Sequence, residues 1–186
     1  MRHFPVKFLY PPLFFATVAL LTTTVAAGPS EKLFNLKTSG ASNSSHNNLY
    51  LSVGHGLISD PLNNEAIFSG APASRAAAFS FVNGTVLLDT QTTAPWALDL
   101  INVEGVRKER AQISIKPTHG SKGFSVGHHG IEGPSETWDG WLWCLADLEA
   151  GQLFPNLHFL SKTVQEPAVP AGCDRIQLNA VPKSSA

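Results

Sequence analysis

Gly123-Phe124-Ser125-Val126-Gly127 matches G-x-S-x-G, and Asp139 or Asp147 and then His158 follow in the order that a hydrolase triad of that type needs. The pattern works chemically only when a strand enters the turn and a helix leaves it, so that the serine hydroxyl stands beside free backbone N–H groups. Here the entry is Thr118-His119-Gly120-Ser121-Lys122, a polar loop. The exit, His128-His129-Gly130-Ile131-Glu132-Gly133-Pro134, holds too much glycine and proline for a helix. A secreted hydrolase built on Ser125 is therefore kept only as an alternative. The histidines are a second candidate chemistry. His119, His128 and His129 are close in sequence, and His55 sits between Gly54 and Gly56. Neighbours in an extended chain point to opposite faces, so His128 and His129 do not naturally hold one ion. No metal and no cofactor is expected. The tryptophans are the third. Exposed indoles stack on sugar rings, and Trp138 and Trp96 are the two that could stand outside a core. A carbohydrate-binding-module-like role follows from them as an alternative.

The elements that must position these residues read as short strands. Phe34 and Leu36, Leu49, Leu51 and Val53, Ile113 and Ile115, and Ile176 and Leu178 each alternate with polar residues, the pattern of a strand with one wet and one dry face. Phe79 and Phe81 precede Asn83-Gly84, and Val86 and Leu88 follow it, which predicts a hairpin with a type I′ turn. Further strands are expected over 65–69, 97–103, 123–127, 140–146 and 152–160. In Trp141-Leu142-Trp143-Cys144 both faces are apolar, which predicts a central strand. Ala73–Ala78 after Pro72 is the one helix-favouring run, long enough for a single turn. Glycine (15) and proline (13) are spread between the runs as punctuation. The reading is one all-β antiparallel domain, a β-sandwich in preference to a β-trefoil.

The compartment comes from the N-terminus. Arg2, His3 and Lys7 precede an apolar stretch that runs to Leu21, and Val25-Ala26-Ala27 supplies small residues for cleavage. Pro11, Pro12 and Thr22–Thr24 break the stretch, so it is too short to span a membrane. Residues 1–27 are expected to be a cleaved signal peptide and residues 28–186 the secreted domain. Losing Arg2 and Lys7 takes the formal charge from −1 to −3. No basic cluster survives beyond Arg107 to Arg110, which contains Glu109. Nucleic acid is therefore not an expected partner, nor is a membrane after cleavage. The predicted first residue, Gly28, argues against the copper oxidases of polysaccharides that use an N-terminal histidine. In an oxidising compartment Cys144 and Cys173 are expected to pair. Asn43-Ser44-Ser45 and Asn83-Gly84-Thr85 become candidate glycosylation sites.

A set of ordered blocks carries a family resemblance. They are Leu33 to Lys37, Asn48-Leu49-Tyr50-Leu51 with Gly54-His55-Gly56, Phe81 to Thr85, Pro95-Trp96, Gly123-Phe124, Gly140 to Cys144, Gln152-Leu153-Phe154, and Pro170 to Cys173 leading into Ile176-Gln177-Leu178. In these the chain resembles a family of small secreted fungal proteins catalogued as a domain of unknown function. It departs from them at Lys108 to Gln112, where a tryptophan-centred strand would be expected. The resemblance implies secretion and a β-rich fold, and transfers no catalytic residue. The expected role is a non-catalytic extracellular protein acting at the cell wall or extracellular surface, with cell-wall polysaccharide or a host extracellular component as partner.

Overall fold

The computed structural model describes residues 32–54, 63–101, 111–117, 120–147, 153–162 and 168–183. Chain contacts separate residues 1–30 from residues 31–186, and every described strand belongs to the second unit. The segment expected to be a signal peptide, His55, His119 and Arg107 to Arg110 lie outside the described residues.

Among the described residues twelve strands form: β1 Phe34–Ser39, β2 Tyr50–Val53, β3 Asn64–Ser69, β4 Phe79–Val82, β5 Thr85–Leu88, β6 Trp96–Leu100, β7 Ala111–Lys116, β8 Ser125–Gly127, β9 Gly130–Glu132, β10 Trp138–Asp147, β11 Leu153–Ser161 and β12 Cys173–Pro182. Among the described residues there is no α-helix, and the run after Pro72 makes one 3-10 turn, Ala73–Arg75. No described helix is long and apolar enough to cross a membrane. The alternation sorts the apolar faces as expected, but two polar positions it assigns to water, Asn35 and Glu65, are buried. Leu36, Leu51, Phe68, Phe79, Val86, Leu98, Ile115, Leu157 and Leu178 meet in one core with Trp141 and Trp143, each large side chain contributing about 1.5–3 kcal/mol by leaving water. Asn83 and Gly84 both have positive φ, 48° and 76°, so the β4–β5 hairpin turns as its sequence predicts.

The pairings close. β1, β2, β3, β11, β10 and β12 form a circuit in which β12 returns to β1 over six residue pairs. A second run, β4 to β7, leaves β1 at Phe34–Phe79 and lands on β3 and β11. The β8–β9 hairpin is attached through a parallel contact of Gly130 with Leu178. There Gly130 has φ +93°, and a Cβ would sit 2.0 Å from the Leu178 carbonyl oxygen, so glycine is required. The class is all-β and antiparallel, as the alternation predicts. Its closure is barrel-like and does not by itself select sandwich or trefoil.

Two features of this scaffold set up the sites. Cys144 and Cys173 are opposite each other on β10 and β12 and are joined by a disulfide. In β10 the register slips between Trp138 and Gly140, because Trp138 faces Ser161 while Gly140 faces Leu160. Asp139 is the extra residue of a β-bulge. In a regular strand Trp138 and Trp141 would point to opposite faces. The bulge puts them on one face, with rings 5.4 Å apart.

Candidate functional site

The bulge opens a cleft of about 410 Å³ between β9, β10 and β12. Trp138 forms one wall and is half-buried. Gly133 lies under its indole, where a Cβ would come within 2.6 Å of the ring. Arg175 donates to the Asp139 carbonyl at 3.1 Å and to the Asp139 carboxylate at 3.2 Å, which fixes both at the rim. Gln177 contacts His129 Nδ1 at 3.1 Å from the opposite side. Glu132 also lines the cleft. Its carboxylate lies over Gly127, where a Cβ would sit 2.2 Å from Oε1, and it has no hydrogen-bond or ion-pair partner among the described residues. An aromatic wall and several fixed planar polar side chains thus share one open hollow.

A second hollow of about 370 Å³ lies beside the disulfide. The His46 ring stacks on Trp143 with centroids 3.6 Å apart and planes 14° from parallel. Asp174 accepts from Ser42 Oγ (2.7 Å), Asn43 N (2.9 Å), His46 Nδ1 (3.2 Å) and Ser42 N (3.4 Å). Burial raises the pKa of this carboxyl, and the four hydrogen bonds, led by that from Asn43 N, outweigh burial and hold it below the ordinary value. A carboxylate on Nδ1 makes that nitrogen the donor, so Nε2 accepts from Asn43 Nδ2 at 3.3 Å.

A third polar site lies inside the wall where β3, β7 and β11 pair with one another. Glu65 is 1% exposed, and neither carboxyl oxygen has a hydrogen-bond partner among the described residues. Burial pushes its pKa up to about 7. The register puts Glu65, Asn156 and His158 on one face, together with Leu142 and Cys144.

The expected residues are therefore divided. Trp138 lines the cleft, whereas Trp96 packs half-buried against the core and does not line it. Asn43 and Asn83 are both exposed. Ser125 opens a strand that turns back on itself as a hairpin, so the strand–turn–helix that exposes a nucleophile does not form. His128 and His129 meet edge to face at 5.0 Å on that turn. Sequence reasoning missed His46, Asp174, Arg175 and Glu65. The one local signal was Asp139-Gly140 inside an aromatic strand, a composition that marks a bulge.

A family model described as a domain of unknown function, DUF7907, matches residues 31–182, and the chain belongs to that family. No curated protein and no solved structure matches it.

Proposed function

We propose that this member of the family is an extracellular protein that binds sugar chains, without catalysis, through the cleft beside Trp138, and that it acts at the cell wall. The observation that carries the reading is the bulge at Asp139. It moves Trp138 onto the face of Trp141 and sets an indole against Asp139, Arg175, Gln177 and His129. A pyranose offers an apolar face to a ring and equatorial hydroxyls to planar donors and acceptors, which matches a hollow with one aromatic wall and a few fixed polar groups. The apolar leader over residues 1–27 and the Cys144–Cys173 disulfide support the extracellular part.

The test is retention on insoluble chitin, glucan and cellulose, followed by titration with the oligosaccharide of whichever polymer retains the protein. Trp138→Ala is expected to weaken binding roughly tenfold or more, the scale of one lost aromatic stack. Trp96→Ala leaves it unchanged. No retention on any polysaccharide, or equal loss from both variants, rejects the cleft as a sugar site.

A further inference from the structure

The hollow beside the disulfide has no free carboxylate to offer a ligand, because Asp174 is already engaged by Ser42, Asn43 and His46. It has instead an attachment atom at its lip. Asn43 opens the sequence Asn43-Ser44-Ser45, is exposed, and lines the hollow with His46, Trp143 and Leu145. Its Oδ1 accepts from Ser45 N at 3.1 Å and from Ser45 Oγ at 2.8 Å. Its Nδ2 is thereby turned toward His46 Nε2. Leu145 is 43% exposed here, an apolar wall facing water next to a half-buried Cys173.

We propose that an N-linked glycan on Asn43 is a structural part of this molecule, its first sugar seated in the hollow against Leu145 as a cover for the His46–Trp143 stack and the Cys144–Cys173 disulfide. The inference rests on the extracellular reading but not on the cleft. Transfer from a lipid-diphosphate-linked oligosaccharide replaces one Nδ2 hydrogen with an N–C1 bond, and the lipid diphosphate leaves with the displaced proton taken up by base. The amide keeps its other N–H. A hollow of about 370 Å³ falls at the lower end of the roughly 300–1,000 Å³ that small ligands occupy. Asn83, the other sequon, sits on a two-residue hairpin turn and serves as the comparison.

The experiment makes the full chain carrying Asn83→Gln in two hosts. A secretory eukaryotic host adds the glycan, and a bacterial periplasm gives the same side chains without it. Peptide mass spectrometry reads the occupancy of Asn43, and of both sequons in the unsubstituted chain. Reduction of the disulfide by excess dithiothreitol is then timed. The glycosylated form is expected to reduce roughly tenfold more slowly, because access governs thiol–disulfide exchange. Trimming to one sugar with an endoglycosidase is expected to retain that protection, and Ser45→Thr, which preserves the sequon, retains it too. Equal reduction rates with and without the sugar overturn the proposal, as does an empty Asn43 beside an occupied Asn83. A chain that is not exported, with both sequons empty, overturns the extracellular reading together with it.

Discussion

Asp174 and Glu65 are two buried carboxyls in the same closed sheet, and they titrate in opposite directions. Both lose water. Asp174 regains it as four hydrogen bonds from the loop that carries Ser42, Asn43 and His46. Glu65 finds none among the described residues. The first is held below the ordinary carboxylate range, and the second is pushed up to about 7. Burial alone therefore does not decide the charge of a group in this protein. The supply of N–H and O–H donors does.

The largest way to break the contrast is at Glu65. A carboxyl whose folded pKa lies above its unfolded value stabilises the fold fully below the unfolded value of 4.5, and that stabilisation is lost as the pH rises through about 7. Integrated over that window the loss is roughly 3 kcal/mol. Urea denaturation followed from about pH 4 to pH 8 should show the wild-type midpoint falling between the unfolded value of 4.5 and about 7, and levelling off above that. Glu65→Gln keeps the shape and cannot ionise, so its curve should be flat there and lie above the wild type at the alkaline end. A wild-type curve without that decline refutes the assignment. Asp174 contributes with the opposite sign. Its stabilisation is present above the unfolded value of 3.8 and is lost as the pH falls through its lowered folded value. The two contributions coincide on the mildly acid side of neutrality.

Asp174→Asn is the next largest break. The amide retains one acceptor and presents N–H groups to donors at Asn43 N and His46 Nδ1, a mismatch that costs about 2 kcal/mol. The acid limb of the stability curve should shrink at the same time, which a simple packing defect would not cause. If the variant keeps the wild-type acid limb, the loss of stability at low pH belongs to another group.

The unequal legibility of these sites has a physical cause. Period-two alternation at Leu49, Leu51 and Val53, or at Ile176 and Leu178, reports a half-buried strand through nearest neighbours alone. Asn83-Gly84 reports its turn the same way. The Cys144–Cys173 bond was legible because the chain has only two cysteines. By contrast, Asp174 meets Ser42 across 132 positions of sequence, through a β1–β12 pairing that no local pattern encodes. Glu65 stands in Glu65-Ala66-Ile67-Phe68, where an acidic residue beside apolar ones reads as the wet position of a strand. It is instead 1% exposed, on a strand that pairs with both β7 and β11. The cleft was half legible: Trp138 was singled out, while the bulge that aims it depends on the register with β11. Trp96, singled out on the same grounds, has no such bulge and stays against the core.

The smallest test sharpens the contrast rather than breaking it. Ser42 is exposed, yet its hydroxyl makes the shortest of the bonds to Asp174, at 2.7 Å. A bond to a charged acceptor contributes more than one between neutral groups, but an exposed donor recovers most of its loss from water. Ser42→Ala should therefore cost only about 1 kcal/mol at neutral pH. Its more telling effect is on titration. With one of four donors gone, Asp174 should move up toward 3.8, and the acid unfolding midpoint should rise with it, while the alkaline decline set by Glu65 stays where it was. A shift of both limbs would mean that the two carboxyls are coupled through the shared β10–β11–β12 wall. A shift of the acid limb alone means that each is governed by its own donors.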